Sequence, residues 1–388
     1  MRILHTSDWH IGRTLNEKSL LEDQRVALEG VLSCVRENRP DVVVIAGDIY
    51  DRSVPSKEAM TLVDQVFSEL ILEIGVPVMV ISGNHDGRER LAFSGGILKH
   101  QGLYIAGLFP DKLEPVTLKD QWGEVDFWLV PFIKPVEYRS QFKDQEILDY
   151  EGMYATIIKK IKEQMSPERR HVLVTHGLIL GGVVDLETID DSVRPIEIGG
   201  IDFARSALFE AFDYTALGHL HRPQKVGLEK IRYAGSLLKY SFSEWQQKKS
   251  LTLIDLGADG KIEVQTPSIT PLRDLRVIRG SLEELTDRSV YDHEGREDYL
   301  KVILTDKTRL INPMEKLRKV YPNVLEMSYE KKAVSSAGKR RAVVKERIQD
   351  PMALFEDFYS FIHDEALPVA EKEMFVELLT EIHEEESQ

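Results

Sequence analysis

A chain of 388 residues is long enough for two or three domains, and its 42% hydrophobic and 30% charged residues exclude a wholly disordered one. With 50 Lys+Arg against 65 Asp+Glu the formal charge is −15, which excludes a generally basic nucleic-acid coat; work on DNA would need local cations, bound metal or a basic partner. The single cysteine, Cys34, excludes an intrachain disulfide and a cysteine-ligated zinc site, and no apolar run approaches the roughly 20 residues of a membrane span, so the composition predicts a soluble protein of a reducing cytoplasm.

In chain order, residues 1–245 alternate short apolar runs with helical periodicity. The runs begin at Arg2-Ile3-Leu4 and continue at 41–47 (DVVVIAG), 76–82 (VPVMVIS), 171–176 (HVLVTH) and 214–219 (YTALGH), each followed by a turn rich in Gly, Asp or Asn. Between the first two, Leu21, Leu28, Val31, Leu32 and Val35 can share one helical face. Strands alternating with helices predict an α/β domain, whose functional loops gather at the carboxyl ends of its strands.

Past Trp245 the pattern changes. Runs at 250–256 and 262–266 alternate about Gly257-Ala-Asp-Gly260, the signature of a hairpin. Strand candidates at 275–280, 299–305 and 324–329, with a short helix over 312–320, predict a small α+β unit. Residues 331–350 (KKAVSSAGKRRAVVKERIQD) are basic and poor in apolar residues; they read as a solvated link, with a DNA contact as the alternative. The tail resumes helical periodicity: Leu354, Phe355, Phe358, Phe361 and Ile362 form one stripe, and Met374, Phe375, Leu378, Leu379 and Ile382 a second beyond Pro368. The expected division is 1–269, 270–330, 331–350 and 351–388.

Five short motifs follow predicted strands: Asp8-Trp9-His10, Gly47-Asp48, Gly83-Asn84-His85-Asp86, His176-Gly177 and Gly218-His219-Leu220-His221. Singly, an Asp-x-His or a Gly-Asp is most often just a turn; five in order, all after strands, point to a metal site. Their donors are carboxylate, imidazole and one amide without thiolate, a set suited to Mn2+, Fe2+ or Zn2+. If the first strand runs on to Asp8, then Asp8 and His10 point to one side and can serve one ion; His219 and His221 can do the same or reach two ions. The two oxygens of Asp48 can bridge two ions, which together hold a hydroxide and clamp a phosphate. Glycines 47, 83, 177 and 218 let the chain turn beside them. His5, His100 and His171 stand outside any motif and read as packing or surface histidines.

The ordered set D-x-H, G-D, G-N-H-D, H and G-H-x-H resembles the binuclear metallophosphoesterase family. The stretches 3–13 (ILHTSDWHIGR), 47–51 (GDIYD), 218–224 (GHLHRPQ) and 233–244 (YAGSLLKYSFSE) are similar to the branch of that family whose members are nuclease subunits working with an SMC-like ATPase. The resemblance implies a four-layer αββα sandwich over 1–269, with a small α+β capping domain facing DNA over 270–330 and partner-binding helices at the C-terminus.

Carried over motif by motif, it implies Asp8, His10, Asp48 and His221 as ligands of one ion, and Asp48, Asn84, His176 and His219 as ligands of the second. His85 stands outside the ligand set, beside the scissile phosphate and the leaving group, where an imidazole can exchange protons near neutral pH. Asp51 is expected to hydrogen-bond His85 and raise its basicity, with Asp86 as the competing partner. Arg13, Arg52, Arg88 and Arg90 flank the motifs as candidate contacts to DNA phosphates.

The implied activity is a Mn2+-dependent DNA nuclease of recombination and repair, a 3′–5′ exonuclease on duplex ends and an endonuclease on single strands and hairpins. The implied assembly is a homodimer within a heterotetramer, in the cytoplasm at the nucleoid, with no membrane contact. The chain has no G-x-x-x-x-G-K-[ST] motif, so ATP dependence would come from the partner. The rivals are a phosphatase or small phosphodiesterase on the same catalytic domain, although Ser53 replaces the last glycine of the phosphatase G-D-x-x-D-R-G pattern, and a non-catalytic scaffold, which the complete ligand set opposes.

Overall fold

The strand Val42–Ala46 contains no polar residue, and all five of its side chains are buried. A strand tolerates that only where both faces of its sheet are covered. The computed structural model describes residues 1–144, 146–181, 203–291 and 295–330, together with Met352, Phe355, Tyr359, Leu367, Pro368, Glu371, Lys372, Met374 and Phe375. In it two six-stranded sheets lie face to face, each with helices on its outer side.

The first sheet runs, in spatial order, Ile262–Gln265, Thr252–Leu256, Arg2–Thr6, Val42–Ala46, Val78–Ile81 and Leu103–Ala106. Its last four strands are parallel, and the hairpin about 257–260 adds the other two antiparallel beside Arg2–Thr6. The second runs Gln224–Val226, Leu228–Tyr233, Tyr214–Gly218, Arg170–His176, Gly123–Val130 and Val116–Asp120. Its four central strands are parallel and both edges antiparallel.

Ile3, Val44, Ala46, Met79 and Ile81 of the first sheet meet Phe127, Leu129, Val172, Val174 and Ala216 of the second in a closed apolar seam. On the outer face of the first sheet, Val43, Ile45 and Val80 pack with Leu28, Val31, Leu32 and Val35 of helix Leu21–Asn38 and with Leu62, Val63 and Val66 of helix Lys57–Ser68. That is the helical face expected from the sequence. Outside the second sheet, Trp128, Leu173 and Tyr233 pack with Met153, Tyr154, Ile157, Ile158 and Ile161 of helix Tyr150–Lys162. The layers are therefore helix, sheet, sheet, helix. Because the parallel strands of both sheets carry their carboxyl ends to one rim, the loops after them meet there.

Strands Leu275–Gly280, Tyr299–Leu304 and Val324–Tyr329 form a separate three-stranded sheet. They pair in parallel, so each connection is a crossover; one carries helix Leu282–Thr286 and the next helix Pro313–Val320. Leu282, Leu285, Leu300, Val302, Leu304 and Leu317 give this sheet a small core of its own. It belongs to the same compact unit, Met1–Tyr329. Asp23, on the first turn of helix Leu21–Asn38, accepts from Arg273 Nη1 at 3.1 Å and from the Tyr299 hydroxyl at 2.8 Å, while Lys239 Nζ lies 2.8 Å from Asp274.

The second compact unit is Glu330–Gln388. Within it the rings of Phe355 and Phe375 stack, with centroids 4.1 Å apart and planes 10° from parallel, so the two tail stripes meet at that pair. The basic link at 331–350 and, apart from the exposed Met374, the remaining stripe residues lie outside the described residues. No helix among the described residues is long and apolar enough to cross a membrane.

Candidate metal centre

Strand Arg2–Thr6 stops before Asp8, and the turn that follows places Asp8 at φ 52° and His10 at φ 45°. The two do not face one side of an extended strand, as their spacing suggested; they are brought together by left-handed backbone. Asp48 (φ 51°), after strand Val42–Ala46, and His219 (φ 114°), after strand Tyr214–Gly218, share this strain. Non-glycine residues avoid that region unless the surroundings enforce it, and such positions cluster at functional sites. Here the surroundings do enforce it. The side-chain amide of Gln24 donates to the carbonyls of Trp9 and His10, and the Tyr240 hydroxyl donates to Trp9 O. Asp86 takes the backbone N–H groups of Ile49, Tyr50 and Gly83 on its two oxygens. The carboxylate of Asp86 thus ties two motif loops together and is not the partner of His85.

Two of the motif glycines are needed for close approach rather than for turning. A Cβ on Gly83 would collide with the Asp48 carboxylate, and one on Gly218 with Ala46 O. Gly83 lets two loops of the first sheet close on each other, and Gly218 lets the second sheet close on the first.

All seven candidate ligands converge. His10 Nε2 lies 3.1 Å from His221 Nε2 and 3.6 Å from Asp48 Oδ2. His176 Nε2 lies 3.4 Å from the same Asp48 oxygen and 3.0 Å from Asn84 Oδ1, which is 3.1 Å from His219 Nδ1. Ligand atoms of Asp8, His10 and His221, and of Asp8, Asp48 and His176, fall within 4.8 Å of one another. Asp8 accepts from Ser7 Oγ at 2.5 Å and from the His219 backbone N–H at 3.0 Å. Asp8, His10, Asp48, His176 and His221 are buried, whereas Asn84 is exposed and His85 and His219 half-buried, so the site opens on that side.

The hydrogen-bond roles show what these atoms can hold. His176 Nδ1 lies 2.8 Å from Ala46 O, and a carbonyl oxygen can only accept, so Nδ1 carries the hydrogen. Nε2 of the neutral ring then turns a lone pair toward two further acceptors, Asp48 and Asn84. His221 is arranged the same way: its Nδ1 donates to Glu244 Oε1 at 3.0 Å, and its Nε2 faces His10 Nε2. On both rings the nitrogen left without a hydrogen faces further potential ligand atoms, an arrangement that a cation would satisfy. Burial opposes a charged His176, yet the neighbouring Asp48 outweighs it and holds the ring's pKa up at about 9, so the site draws positive charge to Nε2, where a metal ion would take the place of a proton. Burial pushes His10 well below its ordinary value, and burial together with His176 pushes His219 down to about 3, leaving both as neutral rings able to ligate. The donor set fits a pair of divalent ions with Asp48 between them.

His85 is fixed at two points. Its backbone N–H donates to Asp48 Oδ1 at 2.8 Å, and its Nδ1 donates to the main-chain carbonyl of Asp51 at 2.9 Å. The expected contact with Asp51 therefore exists through the peptide oxygen. The Asp51 carboxylate is instead paired with Arg13 Nη1 at 2.8 Å and lies 3.9 Å from His10 Nδ1. Among the arginines, Arg13 is thus tied to Asp51 and Arg88 to Glu137 at 2.6 Å; Arg52 and Arg90 are exposed, with Arg52 Nε 3.7 Å from the other Asp51 oxygen. Sequence reading missed the supporting residues Gln24, Tyr240, Glu244 and Lys249. The stretch 233–244 carried two of them without any spacing that would assign a role.

The calcineurin-like phosphoesterase family model matches residues 1–223, and the model described as Type 5 capsule protein repressor C-terminal domain matches residues 271–362. The chain is 33% identical over 386 residues to the D subunit of the nuclease SbcCD of Staphylococcus epidermidis, covering all of both chains. Among solved structures it is similar to TT1561 of Thermus thermophilus (14% identity, 68% of this chain and 98% of that one, TM-score 0.38) and to a dimetal phosphatase from Danio rerio (12%, 70% and 99%, TM-score 0.38). The five motif loops at one rim of the sandwich, the family match and the full-length identity lead to one conclusion: the chain belongs to the calcineurin-like phosphoesterase family, in its branch of SbcD nuclease subunits.

Proposed function

We propose that the chain is a Mn2+-dependent DNA nuclease, cutting duplex ends in the 3′–5′ direction and opening single strands and hairpins, in partnership with an SbcC-type SMC-like ATPase during recombination and repair in the cytoplasm. The observation that carries this reading is the buried convergence of acceptor atoms about Asp48. Asp8, His10, Asp48 and His221 would hold one ion, and Asp48, Asn84, His176 and His219 the other. A bound pair supplies a water ionised near neutral pH and positive charge against the phosphate.

The rest falls to the chain's own groups. Asp48 keeps the two subsites in register and holds the His85 backbone. His85, with its Nδ1–H committed to Asp51 O, would as the imidazolium give its Nε2 proton to the departing oxygen of the phosphodiester and be left as the neutral ring with the hydrogen on Nδ1. Asp51 positions His85 through its carbonyl and Arg13 through its carboxylate. Arg52 and Arg90, both exposed, are the stronger candidates for phosphate contact, Arg52 being held to Asp51 only at 3.7 Å; Arg13 and Arg88 reach DNA only by leaving closer carboxylates.

For the whole chain we propose a catalytic part over 1–269, a DNA-facing part over 270–330, a basic link over 331–350 and a partner-binding tail over 351–388, assembled as a homodimer within a heterotetramer. The identity with an SbcCD nuclease chain supports the choice of nuclease over phosphatase. The test is cleavage of linear duplex and hairpin DNA with Mn2+ or Mg2+, with and without the ATPase, beside a phosphomonoester control. Hydrolysis of the monoester without cleavage of either DNA would refute the reading.

A further inference from the structure

Behind the first ion subsite sits a buried charge pair to which no motif assigns a role. Glu244 is fully buried and Lys249 is 8% exposed. Glu244 spends one oxygen on each of two partners: Oε1 accepts from His221 Nδ1 at 3.0 Å and Oε2 from Lys249 Nζ at 2.6 Å. Lys249 Nζ also donates to the His221 carbonyl at 2.8 Å, and it contacts Ser236 Oγ at 2.9 Å and Gln247 Oε1 at 2.7 Å. The same histidine is thus gripped twice, by its ring through Glu244 and by its backbone through Lys249. A buried ion pair is weak support for stability, since an apolar pair of similar volume is often as stable or more so. Its placement against one side chain calls for another reason. The counterpart in the second subsite, His176, has its Nδ1 against the peptide carbonyl of Ala46, and no carboxylate among the described residues is hydrogen-bonded to that nitrogen.

We propose that Glu244 and Lys249 are positioning residues that fix the Nδ1–H tautomer and the orientation of His221, and so set the affinity of the first ion subsite and not the second. The proposal rests on the two-ion reading of the site. In a neutral imidazole only one nitrogen keeps its lone pair, and a carboxylate behind Nδ1 leaves that lone pair on Nε2, toward the ion. Loss of such a partner typically costs about 10–100-fold in metal affinity.

The test is a Mn2+ titration of the metal-free protein by calorimetry and electron paramagnetic resonance, with anomalous scattering to locate the ions. Wild type is expected to take two ions per chain. Fewer than two in wild type would defeat the two-ion reading itself and leave nothing for Glu244 to tune. Glu244→Gln is expected to weaken the ion beside His10 and His221 by about 10–100-fold while the ion beside Asn84, His176 and His219 is unchanged. Because that variant leaves Lys249 facing an amide, the double variant Glu244→Gln/Lys249→Met is measured as well; it removes both charges and is expected to show the same selective loss. Two ions bound as tightly as in wild type, or equal weakening of both, would overturn the proposal. The wild-type protein offers an independent reading: nitrogen-15 spectra of its histidines, with His221 assigned by the loss of its signal in His221→Asn, should show the hydrogen on Nδ1. A hydrogen on Nε2 would overturn the proposal without any variant having to fold.

Discussion

In the proposed mechanism Asp48 holds charge and His85 moves a proton, and substitution separates the two. His85→Ala is expected to keep both ions, because the ring is outside the ligand set, and to lose roughly 10²–10⁴-fold in turnover, the usual worth of a positioned acid or base. Metal analysis beside DNA cleavage checks this; an ion lost with the ring would make His85 a ligand. Asp51→Asn leaves the peptide carbonyl on His85 Nδ1 in place. The acid limb of its pH–rate profile is therefore expected to stay where it is, with a smaller loss of rate than His85→Ala through the released Arg13. A displaced limb would mean that the carboxylate acts on His85 after all. The ligand types and their order were legible in the sequence because each sits in a short motif. The geometry was not: the spacing of Asp8 and His10 looked like that of a strand, whereas positive φ at both joins them. Glu244 was invisible for a different reason, since it lies 23 residues from the histidine it supports and only the tertiary fold brings them together.

At the scale of elements, unbroken apolar runs marked several strands buried on both faces, whereas Leu103–Ala106, Val116–Asp120, Gly123–Val130, Gln224–Val226 and Leu228–Tyr233 were not read from the sequence. Val42–Ala46, the hairpin about 257–260 and the strands of the small sheet lie where they were expected. The parallel pairing of that sheet was not legible, since periodicity carries no direction. His5, inside strand Arg2–Thr6, sits between the sheets and shares a 2.8 Å hydrogen bond with the Tyr214 hydroxyl. Burial, aided by Arg232 and opposed by a backbone contact at Leu217, holds its pKa down at about 3 against 6.5 for a free ring. Between those values the unfolded chain takes up a proton that the folded chain refuses. Stability therefore falls as pH drops through this window, by up to about 1.4 kcal/mol per pH unit. His5→Met has nothing to protonate there, so its urea midpoint is expected to fall less steeply than that of wild type between pH 6.5 and about 4.5. Parallel curves would contradict the burial argument.

At the scale of the whole molecule, the small sheet is fastened to the first helix through Asp23, Arg273 and Tyr299, while the tail forms a unit of its own in which Phe355 meets Phe375. One residue of each stripe read from the sequence thus touches the other. A chain ending at Lys345 is expected to keep Mn2+-dependent cleavage of simple substrates and to lose SbcC binding and ATP-stimulated cleavage. Co-purification with SbcC at full affinity would pass the tether to residues 270–330. All of this depends on one centre assembled from loops of both sheets around a single carboxylate. The most direct measurement is Mn2+ stoichiometry and magnetic coupling in wild type and Asp48→Ala, read by electron paramagnetic resonance. The expected result is two coupled ions per chain in wild type and no coupled pair in the variant; a coupled pair that survives without Asp48 would contradict the account.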